Sequence, residues 1–295
     1  MKITNYLLYH DNDIPYETIP SPNFSNYFRP EYLVLHCTTG FTVEDGVRSL
    51  IDPRPDRPDL RVSAHLVIGR EGRVVQLVPF NKCAWHCGPS LWNGIKGLNS
   101  RAIGIELVNA GDVERDGLGQ WVKRGRIIPD EDVVELQHPL DYHVHGWQKY
   151  PPEQVAATLE VAQLLFPAYN LSDLLGHEDI NPQDRRDPGP AFPMQWLHAR
   201  LLNLNEAEPV KYAYRTTRVL NPIRTGPGEE FLEAEGSPLP RNIPLGVLEE
   251  QGDWAFVHVL VAVNGVPDRM AWIAKDRIEM DTLKLRHYHP PALAD

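Results

Sequence analysis

Four short apolar runs in the first 110 residues limit the fold more than any other feature of the chain. They read YLVLH (32–36), RVSAHLVI (61–68), VVQLVPF (74–80) and AIGIELV (102–108). Runs of this length, rich in branched residues and bounded by turns, fit buried strands better than helices. The segment EGR (71–73) turns the second run into the third and predicts a hairpin. Between the first two runs, residues 43–51 predict one short helix. From Pro152 the period changes. Val155, Leu159, Ala162 and Phe166 recur at helical spacing, behind prolines that a first helical turn tolerates. A further helix is expected over 194–202. Strands mixed with helices predict an α/β or α+β domain over residues 1–207.

Residues 111–150 differ from this pattern. The stretch DVERDGLGQWVKRGRIIPDEDVV is charged and carries glycines, and the expectation is a long inserted loop near the functional face. After Asn205 the texture shifts again. EAEPV (206–210) reads as a linker, and short strand-like runs follow, punctuated by RTGPGEE, EGSPLPRN, EQGDW and NGVPDR. That spacing predicts a small all-β barrel over residues 208–295.

Charge and composition exclude several functions. Lys and Arg number 29 against 40 Asp and Glu, a net charge of 29 − 40 = −11. A chain this acidic lacks the basic surface that nucleic acid or an anionic membrane requires. The longest apolar run, 256–263, is broken by His258, so no membrane insertion is expected. The start, MKITNYLLYHDND, lacks the apolar core of a signal peptide. The default expectation is therefore cytoplasmic, with periplasmic or extracellular action if the chain is exported or a leader has been removed. Three cysteines, Cys37, Cys83 and Cys87, are too few for a disulfide scaffold. Reduced thiols are the preferred reading, and a Cys83–Cys87 bridge the alternative.

Certain polar residues stand where apolar runs end or turns begin. His36 closes the first run, His177 lies in GHEDI and Asp187 in RRDPGP. Two imidazoles and a carboxylate are a ligand set for a catalytic zinc. The residues alone leave the ordinary alternative open, hydrogen-bonded histidines with no metal. Glu106 sits inside the apolar run IGIELV, where an unpaired carboxylate is costly. It is either paired across the sheet or a general base with a raised pKa. In HPLDYHVHG, His138, His143 and His145 allow a second metal site, with a solvated loop the preferred reading.

The string RVSAHLVIGREGRVVQLVPFNKCAWHCG resembles the zinc-dependent N-acetylmuramoyl-L-alanine amidases of the type 2 family, relatives of the peptidoglycan recognition proteins. VLHCTTG, IGIELVN and GHEDINPQDRRDPGPAFP follow the same pattern, and the likeness spans about residues 30–203. The resemblance implies an α/β fold with a mixed central β-sheet flanked by helices, and one Zn2+ held by His36, His177 and Asp187. It implies Glu106 as the carboxylate that takes a proton from the attacking water. Arg185 stands where the family usually has Lys. Its guanidinium keeps the charge that steadies an oxyanion but does not give up a proton at working pH. His86 is implied to line the substrate groove and His65 to be structural, while Trp85 either packs against sugar or peptide or belongs to the core. The implied substrate is peptidoglycan or a muropeptide, cut between the lactyl group and L-alanine. Alternatives are a non-catalytic peptidoglycan-binding protein and another zinc peptidase of the stem peptide.

The C-terminal segment shows a second resemblance. LNPIRTGPG, VLEEQGDWAFVHV and AWIAKDRIE are similar to bacterial SH3-like domains over about residues 211–280. Such modules bind wall peptide or serve in packing. An SH3-like module favours intact wall as substrate, whereas the absent leader favours soluble anhydro-muropeptides. No protein partner is named by the sequence.

Overall fold

The computed structural model describes residues 1–52, 59–141, 143–202, 214–259, 262–266 and 269–280. The expected linker at 206–210 and the boundary between 207 and 208 lie outside the described residues.

A six-stranded mixed sheet occupies the first part of the chain. Its strands are β1 (Glu17–Thr18), β2 (Tyr32–Cys37), β3 (Leu66–Ile68), β4 (Val74–Gln76), β5 (Ala102–Leu107) and, from further along the chain, a strand at Asp173–Gly176. β2 and β5 run parallel in the middle, and β3 and β4 form the expected antiparallel hairpin. All six residues of β2 are buried, because parallel neighbours flank it on both edges and both of its faces are covered. Helix α1 (Val43–Ile51) starts where the Thr42 hydroxyl accepts the Asp45 N–H at 3.1 Å.

Residues 111–150 are not an irregular loop. They build a second, antiparallel sheet from β6 (Asp112–Arg115), β7 (Trp121–Lys123), β8 (Arg126–Ile128), β9 (Val133–Gln137) and β10 (Val144–Gln148), in the order β8-β7-β6-β10-β9. The β7–β8 hairpin turns at Arg124 and Gly125, both with positive φ (48° and 77°), the conformation of a tight two-residue hairpin turn. Val113, Trp121, Ile128 and Val133 give this sheet a small core of its own.

Helix α2 (Pro152–Tyr169) ends at Asn170 in the left-handed conformation. It is followed by β11 (Asp173–Gly176), α3 (His177–Ile180) and α4 (Met194–Leu202), and β11 pairs parallel to β2. The main sheet therefore runs β11-β2-β5-β3-β4-β1. Alternation sorts its central residues. Leu33, Leu35, Ile103 and Ile105 join one core with α2 residues Val155, Val161 and Leu165. Val34, His36, Gly104 and Glu106 point to the opposite side. The buried amide of Gln154 in α2 donates to the carbonyls of Ile68 and Val108 (2.9 and 3.0 Å), tying the helix to the ends of β3 and β5.

The C-terminal residues form β12 (Tyr214–Thr216), β13 (Ile223–Arg224), β14 (Pro244–Gln251), β15 (Trp254–Val259), β16 (Arg269–Ala274) and β17 (Ile278–Met280). They pair antiparallel in the order β13-β16-β15-β14-β12-β17 and enclose a separate apolar core around Leu245, Val257 and Ile273. Among the described residues no helix is long and apolar enough to cross a membrane.

Candidate metal centre

The parallel strands β11, β2 and β5 end side by side, and the carboxyl ends of such strands are where ligands bind in open α/β sheets. His36 is the fifth residue of β2, Glu106 is its register partner on β5, and His177 follows directly after β11. Register partners on neighbouring parallel strands share a face, so the Glu106 carboxylate and the His36 ring lie on the same side of the sheet. Asp187 comes from the loop after α3. Its Oδ2 accepts the Cys37 backbone N–H at 3.2 Å, which ties the loop to the end of β2.

His36, His177 and Asp187 bring one donor atom each to within 4.8 Å of the others. Asp187 Oδ2 lies 3.2 Å from His177 Nδ1 and 3.7 Å from His36 Nδ1. Ligands of a tetrahedral zinc stand roughly 3.3 Å apart. The donor set and its spacing thus fit a zinc ion.

Hydrogen bonds fix the tautomers to match. His86 Nε2 faces the Ala102 carbonyl at 3.0 Å, and a carbonyl only accepts, so the proton sits on that nitrogen. His86 Nδ1 is then an acceptor and takes the Nε2–H of His36 at 2.9 Å. This leaves the lone pair of His36 Nδ1 directed at the other two ligands. His177 Nε2 donates to the Cys87 carbonyl at 3.3 Å, freeing its Nδ1 in the same way. Burial supports neutral rings. Desolvation holds His86 down at about 3 and places His36 well below the ordinary imidazole range, with the neighbouring His177 and His86 rings and, least, the Arg185 guanidinium adding to the effect on His36.

His86 is therefore placed differently from the groove-lining contact expected of it. It is buried behind His36 with both ring nitrogens engaged. Gly104 makes room for it, since a Cβ there would stand 2.5 Å from the ring. Nothing in the sequence around His86 says which way its ring turns, and the glycine one pleat before Glu106 was the available signal. His65 is structural: it donates to the Lys82 carbonyl and accepts the Gly104 N–H, joining the hairpin to β5. Trp85 is half-buried, and Arg185 is exposed on the loop that carries Asp187. The three cysteines are free and buried. Burial pushes the Cys37 thiol up to about 12, and it donates to the Asn109 carbonyl, so it is no nucleophile despite lying beside His36. His138 contradicts the solvated-loop reading, for it is 1% exposed. Among the described residues, the second metal site considered for the three histidines is not formed.

A family model described as N-acetylmuramoyl-L-alanine amidase matches residues 26–190. The chain belongs to this amidase family. The chain is 32% identical over 199 residues to the 1,6-anhydro-N-acetylmuramyl-L-alanine amidase AmpD of Escherichia coli, covering 62% of this chain and 90% of that protein. It is 31% identical over 180 residues to the N-acetylmuramoyl-L-alanine amidase AmiD of the same organism, covering 58% of this chain. The alignment spans only about half of AmiD, 53% of its length. A crystal structure of a selenomethionine derivative of AmpD aligns with TM-score 0.47 at 27% identity, covering 70% of this chain and 100% of that one. AmiD from Escherichia coli in complex with anhydro-N-acetylmuramic acid-L-Ala-D-gamma-Glu-L-Lys aligns with TM-score 0.46 at 27% identity, covering 65% of this chain and 67% of that one.

Proposed function

We propose that this amidase is zinc-dependent, with His36, His177 and Asp187 as the metal ligands, and that it frees the stem peptide of muropeptides from the sugar. The observation that carries the reading is the convergence of these three donors, with lone pairs set by hydrogen bonds, on the face that Glu106 shares. Zinc, when bound, lowers the pKa of a water ligand from 15.7 to about 7 and polarises a carbonyl. Glu106 accepts the proton given up by the attacking water and returns it to the departing amine of L-alanine. Arg185 sets a permanent positive charge against the oxyanion without giving up a proton. His86 keeps the His36 ring in place, a positioning role in place of the substrate contact first expected. Trp85 is the substrate-facing residue of this reading.

The relatives' names supply the substrate class. AmpD is named for 1,6-anhydro-N-acetylmuramyl-L-alanine, and AmiD is described with an anhydro-muramoyl peptide. We assign soluble anhydro-muropeptides to this chain on that basis. The same reading divides the chain into an amidase domain over residues 1–207 and an SH3-like domain over 208–295 that binds wall peptide. Its support is the antiparallel C-terminal sheet with its own core, to which Ile223 of the LNPIRTGPG segment contributes.

Digestion of purified sacculi and of soluble anhydro-muropeptides, with and without a zinc chelator and followed by mass spectrometry, tests the reading. Chelator-sensitive release of peptides beginning at L-alanine is the expected result. Tight zinc binding with no release from either substrate would leave a recognition protein and overturn the hydrolytic reading.

A further inference from the structure

The inserted sheet grips the loop that carries the metal ligands, and His138 makes the most telling contact. The residue lies just past the end of β9, on the face of that strand shared by Val134 and Leu136, which pack on the main core. Its ring packs against Trp147 with centroids 5.6 Å apart. The Leu140 N–H donates to His138 Nδ1 at 3.0 Å, which puts the ring proton on Nε2. That Nε2–H donates to Glu178 Oε2 at 2.8 Å.

Glu178 stands at the centre of the ligand loop. It follows His177 in the chain, and its backbone N–H donates to the Asp187 carbonyl at 2.9 Å. The oxygen that accepts from His138 also accepts the Gly189 N–H at 3.2 Å. One carboxylate thus joins the residue after the first loop ligand to the residues around the second. The inserted sheet adds two further contacts to the same segment. The Trp147 ring fills the space beside Gly189, where a Cβ would meet it at 2.4 Å. Just past β10, the Tyr150 hydroxyl donates to the Pro188 carbonyl at 2.8 Å.

We propose that the inserted sheet is a brace for the metal-binding loop, and that His138 is a positioning residue that holds His177 and Asp187 at ligand spacing through Glu178. The proposal rests on the zinc reading above. The gain is preorganisation: a loop already tied at both arms loses less freedom when the ion binds. Neither His138 nor Glu178 touches substrate or metal in this arrangement, so the effect is on metal affinity first and on turnover only through it.

The experiment is zinc titration of the full chain against a chromophoric chelator, with cobalt absorption spectra taken on the same samples. His138→Ala is expected to weaken zinc binding about ten-fold, the lower end for a group that supports a ligand from behind. Its cobalt spectrum should shift while the circular dichroism of the metal-free protein stays the same. His138→Gln, which can still donate to Glu178, should recover most of the loss. His143→Ala, an exposed change near the same sheet, should bind zinc as wild type. If His138→Ala does not fold, Glu178→Gln decides, since it keeps the shape and removes the charge that strengthens both hydrogen bonds. Equal affinity and equal spectra in wild type and in whichever of these variants folds would overturn the brace and leave the zinc reading intact. A wild-type chain that binds no zinc would overturn the zinc reading itself.

Discussion

Strands β2 and β16 are each six residues long and solve the problem of burial in opposite ways. Every residue of β2 is buried. Along β16 buried residues alternate with half-buried ones, as in a strand with one face toward solvent. The sheet of β16 keeps its chemistry simple: the buried Arg269 on that strand donates to the Val266 carbonyl at 3.1 Å and closes the turn before it. β2 has no wet face, so the imidazole of His36 must be satisfied internally, and the chain of His86 and Ala102 does this. A polar residue inside a doubly covered strand needs dedicated partners. In β2 those partners also leave one nitrogen aimed outward, and this turns a packing constraint into a ligand.

The largest expected effect separates the two halves of the site. Asp187→Ala removes a metal donor and should abolish both zinc binding and release of L-alanine-terminated peptide. Glu106→Gln should leave zinc bound and lower turnover by about 10²–10⁴-fold, the range for loss of a general base. Metal analysis beside muropeptide turnover reads both. Zinc lost from Glu106→Gln, or normal turnover by it, would mean that β5 does not supply the base.

An acid titration sharpens the contrast between the sheets. His65 is buried beside β5, and desolvation lowers its pKa from the ordinary 6.5 to about 4. Below 6.5 the unfolded chain takes up this proton before the folded one does, so folding loses stability as pH falls. The His65 contribution is complete above about 6.5 and is lost progressively toward about 4, on the order of a few kcal/mol in total. Urea unfolding of the metal-free protein, followed region by region through hydrogen exchange, should show protection of β2 and β5 falling over this interval. His65→Gln should flatten that slope. A slope unaltered by the substitution would show that another group controls the acid response.

The same contrast explains what the sequence made legible. Continuous apolar runs announced β2 and β5, and the residues closing or interrupting them, His36 and Glu106, stood out because nothing else polar shared those runs. The two short helices expected over 43–51 and 194–202 agree in their bounds with α1 and α4. The inserted sheet was not readable, because its strands are three to five residues long and several carry charges. Alternation in VVELQH did hold the information that His138 shares a face with Val134 and Leu136. What it could not show was Glu178, whose contact with His138 spans 40 residues of chain. His86 failed for a related reason: its direction depends on Gly104, on a neighbouring segment.

The smallest effect on the site should come from the most damaging change in the other sheet. Leu245 is fully buried in the C-terminal core, packed with Val257 and Val259. Leu245→Ala leaves a cavity there and should cost that sheet about 2–5 kcal/mol. The main sheet draws its core from α2 and the parallel strands, none of which joins the Leu245 cluster. Zinc affinity and hydrolysis of soluble muropeptides should therefore match wild type, while the C-terminal sheet melts earlier in a hydrogen-exchange or calorimetric scan. Equal loss of protection in β2 and in β15 would show one cooperative unit, and the two ways of burying a strand would then belong to a single fold that stands or falls together.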